Sequence, residues 1–282
     1  MKNRLGILGY PLDHTLSPIM QNAALKQVGM ESIIYETLEK NYQELQVTIE
    51  DIKNTFLGIN VTIPYKEKIM PWMDEITHQA RLAGAVNTIR VMDGRLIGTN
   101  TDGLGYMKSL KEKGIDVAGR NILLLGSGGA ARGVATALVQ AKVHRIDVCS
   151  RKKAKGKALL DILQSIGGAP GSWIEFKNLI KKDLGIYHLI INTTPIGMYP
   201  HDAETLALPY DCLKDNQILS DLIYRPLETP FLLEGKRRGL QTINGLDMLL
   251  YQGAASFEFW LDQEAPVEAM RRSLMEALNQ LS

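Results

Sequence analysis

The 282-residue chain has little cysteine and almost no net charge. Its two cysteines, Cys149 and Cys212, form no CxxC pair, which argues against a structural zinc site and a disulfide framework. Two free thiols are typical of a reducing cytoplasm. The chain has 32 Lys and Arg against 31 Asp and Glu, a balance that gives no field to attract nucleic acid or an anionic membrane. We therefore expect neither as a partner.

Long apolar runs are also missing. The amino-terminal region has an apolar run of only about five residues, too short for a signal peptide or a membrane span. The five histidines show no metal-ligand spacing, and the chain contains no G-x-S-x-G nucleophile elbow. We expect a cytoplasmic protein that uses no metal.

Short apolar runs alternate with amphipathic stretches, and this alternation is the βαβ signature of a parallel sheet. A first helix is predicted to begin with Ser17 as its N-cap and to end at Gly29, and Asp93-Gly94 predicts a hairpin turn. Strands are predicted at 5–8, 32–38, 56–63, 86–91, 96–99, 122–125, 145–149, 189–192, 218–222 and 241–243. Further helices are predicted at 42–54, 130–141, 153–166, 246–260 and 266–278.

Two series of strands and helices predict an α/β fold with two α/β domains, residues 1–101 and residues 102–238. The terminal helices have no strand between them, so they need a partner on which to pack. We expect residues 239–282 to return to the first domain. A cleft between the two domains is then the expected place for a ligand.

A glycine-rich loop follows the strand at 122–125 and opens the next helix. Gly126-x-Gly128-x-x-Ala131 allows a tight turn at the first position, backbone approach to a pyrophosphate at the second, and close helix–strand packing at the third. The helix N-terminus adds N–H donors. A tight turn that binds nothing has the same glycines, but the strand–loop–helix context favours dinucleotide binding.

The end of the next strand distinguishes NAD from NADP. NAD enzymes place an Asp or Glu there for the ribose 2′-hydroxyl. This chain has Ser150-Arg151-Lys152-Lys153-Ala154-Lys155 instead, with four cations and no acid. A guanidinium can hold a 2′-phosphate bidentately, so this stretch favours NADP over a merely solvated helix start.

Polar residues also cluster where the strands of the first series end. Thr15 and Ser17 precede the first helix, and their hydroxyls suit a carboxylate, although Ser17 as a plain N-cap explains that pair alone. Asn60 and Thr62 lie on one face of a strand, and Lys66 follows. Asn87 and the NTDG sequence at 100–103 add amide and carboxylate groups. Ketone reduction needs a proton donor beside the hydride source, and Lys66 with Asp102 is the candidate pair.

The ordered motifs resemble those of shikimate dehydrogenases. They are HTLSP at 14–18 with Asn22, NVTIPYK at 60–66, GAVNT at 84–88, NTDG at 100–103, GSGGAAR at 126–132, NTT at 192–194 with Gly197 and Met198, DLIY at 221–224 with Pro226, and NGL at 244–246 with Gln252. The resemblance implies a two-domain enzyme that reduces 3-dehydroshikimate to shikimate with NADPH, in the biosynthesis of chorismate and the aromatic amino acids. It implies an N-terminal substrate domain, 1–101 with 239–282, and a Rossmann-type NADP-binding domain, 102–238.

The resemblance also implies roles for individual residues. Lys66 and Asp102 correspond to the catalytic pair. The substrate contacts implied are Thr15, Ser17, Asn60, Thr62, Asn87, Tyr224 and Gln252, with Asn60 the weakest of them. The cofactor contacts implied are Gly126, Ser127, Gly128, Gly129, Ala130, Ser150, Arg151, Lys152, Lys155, Thr193, Met198, Leu222, Gly245 and Met248.

Two positions depart from the family pattern. Thr15 stands where the family usually has serine, and its methyl group reduces the room at the carboxylate end. Ser150-Arg151-Lys152 replaces the usual Asn-Arg-Thr and keeps only the arginine. The alternatives are a quinate/shikimate dehydrogenase of catabolic or mixed role, and an inert ligand-binding relative, which the presence of Lys66 and Asp102 disfavours. We expect a monomer or a homodimer.

Overall fold

The structure is a computed structural model that describes residues 3–12 and 15–281, so His14 of the HTLSP motif lies outside the described residues. Contacts within the chain divide it into two units, residues 1–105 with 249–282 and residues 106–248. Each unit is built on its own six-stranded sheet, and the predicted α/β fold class is confirmed. In the described part of the chain, no helix combines the length and apolar composition that crossing a membrane requires.

The sheet of the first unit is mixed. Its strands are β1 (Arg4–Gly9), β2 (Ile34–Glu39), β3 (Phe56–Val61), β4 (Glu75–Ile76), β5 (Thr88–Met92) and β6 (Arg95–Thr99), in the order β2-β1-β3-β5-β6-β4. Strand β5 is antiparallel to both β3 and β6, whereas the other pairs are parallel. Asp93 and Gly94 have φ values of 51° and 73°, as a two-residue type I′ turn requires, so the predicted hairpin is confirmed.

Several helices lie wholly or partly in this unit. They are α1 (Ser17–Gln27), α2 (Leu45–Thr55), α3 (His78–Ala83), α4 (Asp102–Glu112), α9 (Leu246–Leu261) and α10 (Val267–Leu281), with short 3₁₀ helices at Tyr42–Glu44 and Met70–Trp72. The division between the units falls inside α4 and inside α9. Helix α10 packs against α1, so the carboxyl-terminal helix covers the first helix of the chain.

The start of α1 corrects one prediction. The N-cap residue is Leu16, not Ser17, which is the first helical residue and makes no side-chain cap. Thr15 lies one residue before the N-cap, and its Oγ1 accepts a hydrogen bond from the backbone N–H of Ser17 at 3.3 Å. Pro18 occupies the first turn, where its missing N–H removes no helical bond. The side chain of Ser17 is therefore not used in capping.

The sheet of the second unit is entirely parallel. Its strands are β7 (Asn121–Leu125), β8 (Arg145–Cys149), β9 (Trp173–Ile174), β10 (Leu189–Asn192), β11 (Ile218–Asp221) and β12 (Gln241–Ile243), in the order β9-β8-β7-β10-β11-β12. This is the 3-2-1-4-5-6 order of a Rossmann fold. Its helices are α5 (Gly129–Gln140), α6 (Lys153–Ser165), α7 (Phe176–Leu179) and α8 (Pro230–Arg237), with 3₁₀ helices at Leu184–Ile186 and Tyr210–Cys212.

Strand β7 explains why the central strands are uninterrupted apolar runs. Ile122 and Leu124 belong to one hydrophobic cluster, whereas Leu123 and Leu125 belong to another. Successive side chains point to opposite faces of a strand, so both faces of this sheet are covered. A strand buried on both faces has no polar position in its alternation.

Candidate active site

The second unit has a ligand-binding edge that its topology defines. Strands β7 and β10 are neighbours, and the strand order reverses between them. In open parallel sheets, ligands bind beyond the carboxyl ends of the strands at such a switch point. The loop 126–128 follows β7, and Thr193 follows β10. Two groups of residues predicted to contact the cofactor therefore meet at this edge.

Gly126 is glycine for reasons internal to the protein. Its φ is +119°, a conformation that side chains with a Cβ rarely adopt. A Cβ there would lie 2.2 Å from Oγ1 of Thr193, which donates a hydrogen bond to the carbonyl oxygen of Leu125 at 2.8 Å. The first glycine of the loop thus permits the close approach of the two strand ends.

Gly128 differs from Gly126 in both respects. Its φ of −85° is accessible to any residue, and a Cβ built on it would meet no atom within 4 Å. It is exposed and is the N-cap of α5, whose first N–H groups have no partner within the helix. Neither backbone strain nor packing requires glycine at position 128. The effect of glycine there is to leave the space at the N-terminus of α5 open.

This contrast predicts opposite effects for the same substitution. Gly126→Ala should lower the free energy of unfolding by at least about 1–3 kcal/mol, the cost of a strained backbone conformation. Gly128→Ala should cost less than about 1 kcal/mol, since it only weakens an N-cap, yet it should weaken NADPH binding. Urea unfolding and NADPH fluorescence titration of both variants measure the two effects. Equal destabilisation, or NADPH affinity unchanged in Gly128→Ala, would contradict the distinction.

The predicted 2′-phosphate region follows β8. Ser150 is buried, accepts a hydrogen bond from Nε1 of Trp173 at 3.1 Å and donates one to the carbonyl oxygen of Lys152 at 3.2 Å. The side chains of Arg151, Lys152 and Lys155 are exposed, and no ion pair joins them to an acid among residues 3–12 and 15–281. Ser150 therefore holds the loop, and the cations stay available at the N-terminus of α6.

Asp221, at the end of β11, is a fully buried carboxyl group that no cation accompanies among the described residues. It accepts hydrogen bonds from Nδ2 of Asn192 at 3.0 Å, from the backbone N–H of Ile223 at 3.0 Å and from the hydroxyl of Thr229 at 2.7 Å. Burial outweighs these three donors and raises the pKa of Asp221 to about 6. The group joins the last residue of β10 to the segment after β11.

Burial of Asp221 predicts a specific dependence of stability on pH. The unfolded chain loses this proton near pH 4, whereas the folded protein keeps it until about pH 6. The contribution of protonated Asp221 to the free energy of unfolding therefore falls as pH rises and is fully lost above about pH 6. Asp221→Asn cannot ionise. Its free energy of unfolding should therefore gain about 2 kcal/mol relative to wild type between pH 4 and pH 7. Urea unfolding at both pH values tests this, and any constant cost of the amide cancels. A difference that does not change with pH would contradict the assignment.

The remaining predicted cofactor residues lie in the same unit in different environments. Gly245 is a close-approach position, because a Cβ on it would lie 2.0 Å from the carbonyl oxygen of Leu222. Met248 is buried in a hydrophobic cluster against which Leu222 packs, whereas Met198 is exposed. Ser127 is buried, and Gly129 and Ala130 are half-buried in the first turn of α5.

In the first unit, the structure brings Lys66 and Asp102 together. Nζ of Lys66 donates a hydrogen bond to Oδ2 of Asp102 at 2.6 Å, and the side chains are 14% and 4% exposed. Lys66 is held at the backbone, where its carbonyl oxygen accepts from the N–H of Val86 at 2.7 Å. Asp102 begins α4, and Oδ1 of Asn100 accepts its backbone N–H at 3.1 Å. The result is a cation held by one oxygen of an almost fully buried carboxylate.

Asn87 completes this pair. Its Oδ1 accepts from the backbone N–H of Thr101 at 2.8 Å, and a backbone N–H can only donate, so the orientation of the amide is fixed. Its Nδ2 therefore faces Asp102 and donates to Oδ1 at 2.8 Å. Both oxygens of Asp102 are then acceptors, one from Asn87 and one from Lys66. This set orients an ammonium group that keeps two further N–H donors.

The other predicted substrate residues are placed less uniformly. Oε1 of Gln252, on α9, lies 3.4 Å from Nδ2 of Asn87. Thr62 is half-buried, and Ser17 is buried at the start of α1. Tyr224 belongs to the second unit, where it follows β11.

The sequence patterns predicted no role for several buried polar residues beside Lys66 and Asp102. Thr88, Thr101 and Ser256 are at most 5% exposed and hydrogen-bond to Asn60 or Asn87. Thr88 lies in the GAVNT motif and Thr101 in the NTDG motif, so the sequence does indicate both positions. Ser256 lies in an apolar helix, and nothing in its local sequence indicates a polar partner.

These features define a class of protein. A Rossmann sheet with an open glycine loop at its switch point is a dinucleotide site, and a lysine held by a buried carboxylate can move a proton. Among residues 3–12 and 15–281, no group of three or more His, Cys, Asp or Glu side chains is arranged to hold a metal ion. A dinucleotide site together with a lysine held by a carboxylate is typical of a nicotinamide-dependent dehydrogenase.

Comparison with known proteins identifies the family. A model described as the shikimate dehydrogenase substrate binding domain matches residues 7–89, and one described as the shikimate 5'-dehydrogenase C-terminal domain matches residues 245–275. A shikimate dehydrogenase (NADP(+)) of Carboxydothermus hydrogenoformans is 43% identical over 272 residues, covering 95% of each chain. The chain belongs to the shikimate dehydrogenase family, as the motifs predicted.

Solved structures agree. A crystal structure of a shikimate dehydrogenase in complex with NADP+ superposes with a TM-score of 0.89 at 38% identity, over 98% of this chain and 96% of the other. A Thermus thermophilus enzyme in complex with NADP(H) and shikimate has a TM-score of 0.85 at 33% identity, over 99% and 100%. The similarity therefore extends over both units.

Proposed function

We propose that this protein is an NADP-dependent shikimate dehydrogenase, an oxidoreductase that reversibly reduces 3-dehydroshikimate to shikimate on the route to chorismate and the aromatic amino acids. The observation that carries the proposal is the Lys66–Asp102 pair, a 2.6 Å hydrogen bond between largely buried groups. It occurs in a chain 43% identical to a shikimate dehydrogenase (NADP(+)) over 95% of its length.

The cofactor domain is proposed to comprise residues 106–248, and the substrate domain residues 1–105 with 249–282. The bounds predicted from sequence, 102–238 and 1–101 with 239–282, are moved because β12 (Gln241–Ile243) pairs with β11 in the second sheet. The residues at the switch point fit NADP. The open side of Gly128 leaves room for a pyrophosphate at the N-terminus of α5, and Arg151, Lys152 and Lys155 are cations without an acid nearby in the described part of the chain. When bound, NADPH supplies the hydride that reduces the carbonyl carbon.

Lys66 is proposed to act as the general acid in the reductive direction. One N–H of its ammonium group is held by Asp102, so another can donate a proton to the carbonyl oxygen of the substrate as that oxygen becomes a hydroxyl. In the oxidative direction, the neutral amine takes the proton back. Asp102 orients the lysine and, with Asn87, surrounds the reacting hydroxyl with fixed polar groups.

The substrate carboxylate is proposed to bind at Thr15 and Ser17. Oγ1 of Thr15 accepts the N–H of Ser17, which leaves the hydroxyl proton of Thr15 free to donate, and the hydroxyl of Ser17 is not used in capping. Thr62, Asn87 and Gln252 are proposed to contact the ring hydroxyls. Tyr224, from the second unit, is proposed as a further contact.

Initial rates with shikimate and with quinate, each with NADP and with NAD, test the proposal. We expect the highest kcat/KM with shikimate and NADP, because the residues after β8 include four cations and no acid. Comparable values for the two acids would favour a quinate/shikimate dehydrogenase instead. No turnover with any of the four pairs would overturn the proposal.

We propose a cytoplasmic protein that acts as a monomer or homodimer on a small-molecule substrate. Both cysteines are free, Cys149 buried and Cys212 exposed, which supports a reducing compartment. Size-exclusion chromatography with light scattering measures the oligomeric state.

A further inference from the structure

A second layer of buried polar residues lies behind the Lys66–Asp102 pair. Asn60 on β3, Thr88 on β5 and Ser256 on α9 are here called the Asn60 cluster. Nδ2 of Asn60 is within hydrogen-bond distance of the hydroxyl oxygens of Thr88 and Ser256, which lie 2.8 Å apart. Asn60 is 5% exposed, and Thr88 and Ser256 are 0% exposed. Buried polar groups are costly unless satisfied, so three of them between a sheet and a helix need a reason.

The orientation of Asn60 follows from its partners. Its Nδ2 lies 3.2 Å from the carbonyl oxygen of Asn87, which can only accept, so this end must be the donor. The same Nδ2 reaches Oγ1 of Thr88 at 3.1 Å and Oγ of Ser256 at 3.0 Å. Its Oδ1 accepts from the hydroxyl of Tyr35 at 2.8 Å. Both ends of the carboxamide are engaged by protein groups, and a side chain that is 5% exposed offers a substrate little accessible surface.

The cluster connects forward to the catalytic pair through Asn87. The hydroxyl of Thr88 donates to Oδ1 of Asn87 at 3.0 Å, beside the backbone N–H of Thr101. Nδ2 of Asn87 donates in turn to Asp102. A shift of Asn87 would therefore move the donor on the Asp102 oxygen that Lys66 does not use.

The cluster also connects to Gln252. The hydroxyl of Ser256 donates to the carbonyl oxygen of Gln252 at 2.9 Å, and the two residues are one turn apart on the same face of α9. Contact of Ser256 with Asn60 and Thr88 fixes α9 against the sheet at this turn. The same contact sets where Gln252 meets Asn87.

We infer that Asn60, Thr88 and Ser256 are positioning residues for the proposed reaction: they hold Asn87 and Gln252 in register with the Lys66–Asp102 pair. This inference rests on the proposed function. It assigns Ser256, 154 positions from Asp102 in the chain, to the machinery, and it replaces the substrate contact predicted for Asn60 by an indirect role.

Two matched pairs of substitutions test the inference. Ser256→Ala removes the helix side of the cluster. Ser109→Ala removes a buried serine hydroxyl that donates within its own helix, to the carbonyl oxygen of Tyr106. Thr88→Val removes the sheet side without changing shape. Thr99→Val makes the same change at the position opposite Thr88 on β6, where the hydroxyl bonds to Thr77.

The readouts are kcat, the KM values for shikimate and NADP, and the midpoint of thermal unfolding. Misplacement of a reacting group by 1 Å can cost about 100-fold in rate, so we expect kcat with shikimate to fall by about 10-fold or more in Ser256→Ala and Thr88→Val. The KM for NADP should stay unchanged. The control variants should keep wild-type kcat even where their thermal midpoints fall equally.

The possible outcomes separate the two proposals. If the wild-type protein turns over shikimate and the folded variants Ser256→Ala and Thr88→Val have the same kcat as wild type, the inference is overturned and the proposed function stays in place. Equal losses in the test and control variants would do the same, since they would indicate a general effect of stability. A wild-type protein inactive toward shikimate would overturn the proposed function and this inference with it. If Ser256→Ala does not fold, Thr88→Val alone decides.

Discussion

Lys66→Met is expected to lower kcat for shikimate oxidation by about 10²–10⁴-fold, the usual contribution of a general acid or base. Methionine keeps the length and apolar stem of lysine but cannot exchange a proton. The KM for shikimate should change little, because Thr15 and Ser17, the proposed carboxylate contacts, are untouched. Steady-state kinetics in both directions measures the effect. A raised KM with unchanged kcat would show that Lys66 only binds substrate.

This prediction needs two controls, because the substitution leaves the buried carboxylate of Asp102 without its cation. Breaking a buried ion pair costs about 3–5 kcal/mol in stability, so lost activity could reflect unfolding. The double variant Lys66→Met/Asp102→Asn removes both charges and should recover stability without recovering activity. Lys68→Met changes an exposed lysine two positions away, over the ring of Tyr42, and should keep wild-type rates.

The strands of the second sheet could be predicted because a strand buried on both faces is a short run of apolar residues that the sequence shows directly. The predicted strands at 145–149, 189–192 and 241–243 have the observed bounds. In the central strands β7 and β10 the core residues are uninterrupted, since both faces are covered and each run stops where polar or glycine residues begin.

Helix α4 shows where local sequence misleads. The sequence NTDGLGY at 100–106 contains two glycines and reads as a polar turn, but Asp102 begins a helix of 11 residues. Gly105 is needed for close packing, because a Cβ on it would lie 2.6 Å from the backbone nitrogen of Gln252. A glycine required by another helix looks like a glycine required by a turn until the tertiary contact is known.

The residues of the candidate site also differ in whether the sequence alone predicts them. Lys66, Asn87 and Asp102 stand out in sequence because each follows an apolar run with a polar cluster. Ser256 does not, because its neighbours in α9 are apolar and its partners Asn60 and Thr88 are 196 and 168 positions away. Pairings over such separations are set by the packing of α9 on the sheet, which periodicity alone does not determine.

Arg151→Ala is expected to raise the KM for NADP by about 10–150-fold and to leave the KM for NAD nearly unchanged. The range corresponds to the loss of hydrogen bonds to a charged group, about 1.5–3 kcal/mol. Only NADP carries the 2′-phosphate that a guanidinium would hold bidentately. Steady-state kinetics with each cofactor at saturating shikimate gives both values.

The structure separates a lost phosphate contact from a collapsed loop in this experiment. The loop after β8 is held by Ser150 through Trp173 and the carbonyl oxygen of Lys152, and none of these bonds uses the exposed side chain of Arg151. Lys157→Ala removes one exposed cation from α6 and controls for net charge. Since it lies more than one turn inside the helix, it should weaken NADP much less than Arg151→Ala does. Equal losses with NADP and NAD would show that Arg151 supports the loop rather than the phosphate.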